Sequence, residues 1–311
     1  MRTKIYTFFF NLGQILKRAL AIENFEAFKK KNKRRIFRFI YKKKYNTHDL
    51  LTIMISLGMK KGSIVFIHSS MTEFYNYTGT ADELIHGIIK CIGPEGTLMM
   101  PAYPKNNKYN GEVDFDVQKS NSGAGYLSEV FRKYKGSQRS IHIQHSVSAY
   151  GKLAEYFVSE HYKSITAWDK YSPYYKMCEY DTLVFSFGLS YFLGTMIHCT
   201  ESILREKYSY FQLFFKKNTS YTYKDYQGNL GAHFYFTHDI ARKRSKKKII
   251  KKYFEKDQFH KVKISNLRIE MVKAKYTLNL FLSLAEKGIT MYSIPSPSKY
   301  KDDNNRFYPI K

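Results

Sequence analysis

The chain has 311 residues, of which 43% are hydrophobic, and this is enough apolar surface to build the core of a globular protein. Lysine and arginine number 52 against 26 aspartate and glutamate, so the net charge of +26 admits nucleic acid, anionic membranes and phosphorylated small molecules as partners. Three cysteines without C-x-x-C spacing argue against a disulfide framework and favour a reducing, cytoplasmic setting. No stretch approaches the roughly 18 apolar residues of a membrane span.

The first 45 residues carry 14 basic and two acidic residues, and apolar side chains recur at helical spacing over residues 1–30. We predict an amphipathic, basic N-terminal extension over residues 1–45, ahead of a single domain over residues 46–311. Three roles stay open for the extension. It can anchor peripherally on anionic lipid, pack on a neighbouring subunit of a homodimer, or dock its apolar stripe on its own domain.

The next 60 residues alternate between strand and helix patterns. A helix is predicted over residues 47–57, a short buried strand over 63–67, a strong helix over 81–92 and a second strand over 97–100. A strand, helix and strand in about 40 residues form a right-handed βαβ unit, which predicts an α/β fold with a partly parallel sheet. The hydroxyl-rich segment His68-Ser69-Ser70 then forms a loop at the carboxyl end of the first strand.

A helix predicted to run from about residue 126 to 134 precedes an unusual density of polar groups over residues 139–146, before a strand over 147–150. His142 and His145 suggest a metal site, yet no carboxylate lies at ligand spacing, so no metal is predicted. We expect these histidines to form hydrogen bonds in or beside a cleft.

The segment Gly188 to Glu201 follows an apolar run over residues 182–187 that is typical of a buried strand. Thr195, His198 and Glu201 recur every three residues, so they share one face if the segment is helical. A histidine beside a carboxylate can act as an oriented general base. The alternative is a hydrogen-bonded core histidine and a solvated glutamate, and spacing alone leaves both open.

The C-terminal third gives weaker signals. Two strands are predicted around residues 221–223 and 234–236, joined through a turn at 227–231. Residues 241–263 carry 11 basic and two acidic residues and are predicted to be an exposed basic stretch. A final helix is predicted over residues 273–287. Its inward face is predicted to carry Tyr276, Leu280 and Leu284.

Five blocks of the chain resemble the antibiotic N-acetyltransferase family, the aminoglycoside 3-N-acetyltransferases and their relatives that acylate amino sugars. The blocks are LGMKKGSIVFIHSSM (57–71), TGTADELIHGIIKCIGPEGTLMMPAY (78–103), SGAGYLSEVFRKYKGSQRSIHIQHSVSAYG (122–151), the pair Ser172-Pro173, and GLSYFLGTMIHCTE (188–201). They occur in family order over residues 47–201. Ile143 stands where the family usually has a proline, and Thr80 where it commonly has a glycine. After residue 205 the resemblance fades, so it does not specify the acceptor.

The resemblance implies a mixed, partly parallel sheet with flanking helices and a deep cleft for acyl-coenzyme A. The acyl donor would be acetyl-coenzyme A or a short hydroxyacyl-coenzyme A, used as a co-substrate without a metal. Residues 46–201 would form the coenzyme-binding and catalytic core, and residues 202–311 the acceptor side and C-terminal elements.

The resemblance also implies roles for individual residues. His198, oriented by Glu201, would be the general base, and Thr195 or the Ser69-Ser70 loop would donate hydrogen bonds to the thioester oxygen. Coenzyme A would be bound by His68, Ser69, Ser70, Arg139, Ser140 and Ser172. The acceptor would be bound by His142, His145 and the basic stretch over residues 241–263. Adjacent helix residues point about 100° apart, so His198 is poorly placed to activate Cys199, and we expect direct transfer.

The expected function is therefore an acyl-coenzyme A-dependent N-acyltransferase that acts on the primary amine of an amino sugar, with a nucleotide-linked sugar for surface polysaccharide as the first choice. The alternative acceptor is an aminoglycoside antibiotic, which would make the protein a resistance enzyme. A second alternative is a non-catalytic basic protein that binds membranes or nucleic acid through residues 1–45. Under the enzyme hypothesis, nucleic acid is not expected to be a partner.

Overall fold

The computed structural model describes residue 32 and residues 35–105, 111–190, 192–215, 217–237 and 242–310. Contacts divide the chain into two units, Met1–Lys44 and Tyr45–Lys311. In the first unit, residues 35–40 are helical. The amphipathic helix predicted over residues 1–30 lies outside the described residues. In the described part of the chain, no helix is long and apolar enough to cross a membrane.

The second unit alternates helices and strands. Its α-helices are α1 (Thr47–Ser56), α2 (Ala81–Ile92), α3 (Tyr126–Arg132), α4 (Ala154–Val158), α5 (Pro173–Lys176), α6 (His198–Leu204), α7 (Ser209–Gln212), α8 (Lys246–Tyr253) and α9 (Ala274–Glu286). Its strands are β1 (Ile64–Ser69), β2 (Thr97–Pro101), β3 (Phe115–Asp116), β4 (Gln138–Arg139), β5 (Val147–Gly151), β6 (Leu183–Phe187), β7 (Lys217–Lys224), β8 (Leu230–Thr237), β9 (Lys243–Arg244), β10 (Phe259–Ile264), β11 (Leu267–Lys273) and β12 (Tyr292–Ile294).

The central sheet has seven strands in the order β10-β11-β6-β1-β2-β5-β4. Strand β1 pairs in parallel with β2 and with β6, whereas the outer pairs are antiparallel. The predicted α/β class and the βαβ unit β1-α2-β2 are therefore confirmed. Helix α2 begins as its sequence indicates, because Thr80 and Glu83 form a reciprocal capping box.

Alternate residues of the central strands face opposite sides of the sheet, and each side is covered by helices. Val65 and Ile67 pack with α1, α2 and α3, whereas Phe66 between them packs with α4, α5, α6 and α9 on the other side. Strand β11 is hydrogen-bonded to β6, so the C-terminal third completes the same sheet that the first half begins. Helix α6, which carries His198, is thereby fixed against one sheet face.

The structure differs from the sequence predictions in three places. His68 and Ser69 are the last residues of β1, because both pair with β6, and so they do not belong to a loop. The stretch 241–263 is folded into β9, α8 and β10, and Ile249 and Ile250 of α8 are buried. The buried stripe of α9 contains Leu278, Phe281 and Leu284, whereas Tyr276 and Leu280 are only partly buried.

A second, three-stranded sheet contains the predicted hairpin. Strands β7 and β8 pair antiparallel over their full length, and β3 adds in parallel at the edge of β7. The turn between β7 and β8 is stabilised by the carboxylate of Asp225, which accepts hydrogen bonds from the main-chain N–H groups of Gln227 and Asn229.

Candidate active site

A cavity of about 530 Å³ lies where β6 leads into α6. After β6 the chain reaches Gly194, whose φ of +82° is readily adopted only by glycine, and then forms a 3-10 turn over Thr195–Ile197 that runs into α6. Thr195 and His198 both line the cavity. The parallel strand β1 ends beside β6, so the Ser69-Ser70 segment lies at the same edge of the sheet.

His198 and Glu201 form a direct contact on the buried side of α6. Nδ1 of His198 lies 2.7 Å from Oε2 of Glu201, and the other carboxylate oxygen accepts a hydrogen bond of 2.6 Å from the hydroxyl of Tyr292. An ionised carboxylate can only accept, so the contact requires the proton of the neutral imidazole on Nδ1. In that tautomer the basic lone pair is on Nε2, which is the arrangement that a general base needs.

Three cations lie near the imidazole of His198. Arg242, Arg244 and Lys246 line the same cavity as His198. Burial, and then the positive charges of Arg244, Arg242 and Lys246, hold the pKa of His198 well below its ordinary value. The carboxylate of Glu201 opposes this effect, but both burial and the cations favour the neutral ring, which is the form that accepts a proton.

The cations are held by aromatic rings. The ammonium of Lys246 lies 4.9 Å from the ring centroid of Phe192, and the guanidinium of Arg244 lies 5.9 Å from that of Tyr292. The Glu201 carboxylate exerts a favourable field on Arg242. Tyr292 contacts both Arg244 and Glu201, and it therefore connects the cationic group to the carboxylate.

Aromatic and imidazole groups form a further part of the cavity wall. The ring of Trp168 lies 5.0 Å from that of His198 and 4.4 Å from that of His145. His145, predicted to bind substrate, lines the cavity. Tyr174 also lines it, together with Thr195.

A row of buried polar side chains supports Phe192 from the sheet. His68, Ser186 and Glu270 lie at the same register on β1, β6 and β11. A carboxylate oxygen of Glu270 accepts from the main-chain N–H of Phe192 at 3.2 Å, and the ring of His68 lies 4.7 Å from the phenyl ring. Burial lowers the pKa of His68 to about 3, so this ring is neutral. His68 thus lies beneath the cavity wall.

The structure does not place the other predicted coenzyme-binding residues together. Ser69 and Ser70 are partly exposed at the end of β1, and the hydroxyl of Ser70 lies 2.9 Å from that of Thr72. Ser140 and Ser172 are fully buried. Ser140 contacts His161 at 2.8 Å, and Ser172 caps α5 through a hydrogen bond from the N–H of Tyr174.

Arg139 is directed into the protein. Its guanidinium is 2% exposed and donates to the main-chain oxygens of Ala102 and Ser120, the latter at 2.6 Å, while it lies over the ring of Phe115. These contacts join β4 to the loops around residues 102 and 120. The placement gives no support to the predicted contact with coenzyme phosphates.

His142 and Cys199 are also fully buried. Nδ1 of His142 accepts from the N–H groups of Gln144 and His145, and its ring stacks on His161 at 4.7 Å, so His142 organises the loop that presents His145. Burial raises the pKa of the Cys199 thiol well above its ordinary value, which disfavours the nucleophilic thiolate. In the described part of the chain, no three or more His, Cys, Asp or Glu side chains are grouped to hold a metal.

The sequence model for aminoglycoside 3-N-acetyltransferase matches residues 66–284, which is more than half of the chain. The chain belongs to the aminoglycoside 3-N-acetyltransferase family. Members similar to it include an SPbeta prophage-derived aminoglycoside N(3')-acetyltransferase-like protein, YokD, of Bacillus subtilis (strain 168), which is 27% identical over 47% of this chain and 61% of its own length. Aminoglycoside N(3)-acetyltransferase IX of Micromonospora chalcea is 26% identical over 37% of this chain and 45% of its own length. The alignments therefore span less than two-thirds of either relative.

Solved structures within the family share its fold with this chain. The structure described as AAC-IIIb binary with CoASH superposes with a TM-score of 0.66 at 20% identity, covering 82% of this chain and all of that one. AAC-VIa bound to sisomicin superposes with a TM-score of 0.64 at 17% identity, covering 78% of this chain and 98% of that one. The mixed α/β fold implied by the family resemblance is thereby confirmed.

Sequence reasoning gave no role to some residues of the site. Trp168 lines the cavity and Tyr292 donates to Glu201 across 91 positions of the chain, and neither belongs to a motif. The available signal was charge, since the basic stretch over 241–263 was predicted to contact the acceptor. Only its first residues line the cavity.

Proposed function

We propose that this chain transfers an acyl group from an acyl-coenzyme A to the primary amine of an amino sugar, with His198 as the general base. The contact that carries the proposal is the 2.7 Å hydrogen bond between Nδ1 of His198 and the buried carboxylate of Glu201, at the wall of a cavity. Membership of the aminoglycoside 3-N-acetyltransferase family supports the reaction class.

In the proposed reaction the amine nitrogen attacks the thioester carbonyl carbon while Nε2 of His198 accepts a proton from that nitrogen. The resulting imidazolium is stabilised by Glu201, which itself is held by Tyr292. The carbon–sulfur bond then breaks, and the proton on His198 passes to the departing sulfur. The products are the amide and free coenzyme A.

Thr195 is the residue that we propose stabilises the tetrahedral oxyanion. It lies on the 3-10 turn one helical turn before His198, on the same cavity. In this proposal the Thr195 hydroxyl donates a hydrogen bond to the oxygen on which negative charge develops. The family resemblance implied this role for Thr195 or for the Ser69-Ser70 loop.

Aminoglycosides are the acceptors to test first, because the relatives named above are aminoglycoside acetyltransferases. The nucleotide-linked sugar expected from the sequence has no counterpart among those relatives. The acyl donor proposed first is acetyl-coenzyme A, because the family description names acetyl transfer and one solved structure with the same fold is a binary complex with CoASH.

The test is a thiol-release assay with acetyl-coenzyme A and a panel of amino sugars, both aminoglycosides and simple or nucleotide-linked hexosamines. We expect thiol release only in the presence of one class of acceptor. His198→Ala should lower the rate of that release at least 100-fold without loss of coenzyme A binding. The exposed His86 provides a matched control, since His86→Ala should turn over at the wild-type rate. Turnover by His198→Ala at the wild-type rate would remove His198 from the mechanism.

A further inference from the structure

The charge of the cavity next to His198 is unbalanced. Among the described lining residues, Arg242, Arg244 and Lys246 are basic and none is acidic. The ion pairs of the described chain include no carboxylate within 4.0 Å of Arg244 or Lys246. Glu270 exerts a favourable field on Lys246 from the sheet below, and its carboxylate is already bonded to the main chain of Phe192. The positive charge of the cavity is therefore available to a ligand.

The protein also keeps these cations partly out of water. Arg244 and Lys246 are half-buried, and they rest on the rings of Tyr292 and Phe192. Aromatic faces hold a cation in position without neutralising it, whereas a carboxylate partner would cancel its charge. Burial and the neighbouring Arg244 lower the pKa of Lys246 to about 8, so the side chain is still cationic near neutral pH. Like charges held this close repel each other, and an anion between them relieves that repulsion.

We propose that Arg244 and Lys246, with Arg242 beside them, form a subsite that binds a phosphate group of a substrate while the reacting amine is at His198. Guanidinium and ammonium groups are the usual protein partners of phosphate. This inference rests on the proposed acyl transfer, and it adds the chemical class of the ligand that the cavity selects. A polycationic acceptor is disfavoured in the cavity unless a phosphate already occupies the subsite.

Two substrates can supply this phosphate. One is coenzyme A, in which case an aminoglycoside binds after the coenzyme has neutralised the cavity. The other is a phosphate-bearing amino sugar, in which case the coenzyme binds elsewhere. The chemistry of the subsite is the same in both cases. Measurements with each substrate in turn therefore decide which of the two supplies the phosphate.

The test compares Arg244→Met/Lys246→Met with a control, Lys135→Met/Arg306→Met, which removes the same two charges from exposed positions of the full-length protein. Binding of inorganic pyrophosphate is measured by calorimetry. We expect the subsite variant to bind it at least 10-fold more weakly than the wild type and the control to bind it normally. Equal affinity in the two variants, or no pyrophosphate binding by the wild type, would overturn the inference. Thermal melting of both variants shows that each is folded.

Two further measurements identify the source of the phosphate. If coenzyme A supplies it, the dissociation constant of coenzyme A rises about 10-fold in the subsite variant and pyrophosphate competes with coenzyme A. If the acceptor supplies it, coenzyme A binding is unchanged, while KM for glucosamine 6-phosphate rises and KM for glucosamine does not. Either result supports the subsite. Pyrophosphate binding can be measured without turnover, so it tests the subsite separately from the proposed function. If the wild type transfers acyl groups but the two variants bind pyrophosphate equally well, the subsite is rejected and the proposed function stands.

Discussion

The hydroxyl of Tyr292 donates a hydrogen bond of 2.6 Å to the carboxylate of Glu201, and the other oxygen of that carboxylate contacts His198. Tyr292 belongs to β12, which pairs with β9 opposite Arg244. A short ribbon near the C-terminus therefore fixes both the carboxylate behind the imidazole and one of the cations in front of it. This ribbon therefore sets the spacing between the Arg244 guanidinium and the imidazole of His198.

Removing the charge of Glu201 should slow the reaction without weakening substrate binding. In Glu201→Gln the side chain still contacts Nδ1 of His198, but it no longer stabilises the imidazolium that forms in the transition state. We expect kcat to fall on the order of 100-fold with little change in KM. Steady-state kinetics measure both values. An increase in KM with unchanged kcat would assign Glu201 to substrate binding instead.

Tyr292→Phe removes the hydrogen bond that the phenol donates to the Glu201 carboxylate and retains the ring that lies beside Arg244. The expected loss is about 1 kcal/mol of unfolding free energy, together with a smaller decrease in kcat than Glu201→Gln causes. Urea denaturation and kinetics test this pair of effects. A Tyr292→Phe protein with full kcat and unchanged stability would show that the phenol does not position Glu201.

The acid limb of the pH–rate profile should report the cations around His198. Only the neutral ring is a base, and burial together with Arg244, Arg242 and Lys246 keeps the pKa of His198 below its ordinary 6.5, so kcat/KM should hold its plateau down through pH 6.5. Arg244→Met removes one positive charge, which raises the pKa of His198 and moves the acid limb to higher pH. The exposed Arg306→Met should leave it in place. A shift to lower pH would contradict the electrostatic account.

Arg139 should matter for stability rather than for coenzyme binding. Arg139→Met leaves the carbonyl oxygens of Ala102 and Ser120 without their donors in a buried site, and we expect a loss of about 3 kcal/mol of unfolding free energy. The dissociation constant of coenzyme A should stay close to that of the wild type in the folded fraction. A large rise in that constant with unchanged stability would restore the phosphate-binding role predicted from the sequence.

Acidification should destabilise the fold through its buried histidines. Burial lowers the pKa values of His68 and His161 to about 3, whereas an unfolded histidine titrates near 6.5. Between these values the unfolded chain binds more protons, so stability falls as pH falls from about 6.5 towards 3, with a limiting slope of about 1.4 kcal/mol per pH unit for each histidine. Urea midpoints at pH 7 and pH 5 measure this loss. Equal midpoints would show that these rings are accessible to protons in the folded state.

Local sequence signals identified the elements whose patterns are complete within a few residues. Helix α2 has its capping box and its apolar stripe, and β1, β2 and β6 are apolar runs between turns, so the parallel centre of the sheet was predictable. The T-x-x-H-x-x-E spacing likewise suggested the His198–Glu201 pair, because residues three apart on a helix are neighbours.

Tertiary structure decided the rest, because the remaining choices depend on contacts between distant segments. A basic stretch has the same amino-acid pattern whether it is solvated or lines a cavity. The pairing of β9 with β12 is what brings Arg244 to the cavity of His198. Arg139 shows the opposite case. The family resemblance implies that it binds coenzyme A, whereas in the structure its guanidinium donates to main-chain carbonyl oxygens. The sequence by itself determined the α/β class and a histidine with its carboxylate. Packing determined which side chains face that histidine. The charge of a side chain follows from its residue type, whereas its neighbours in space depend on how the whole chain folds.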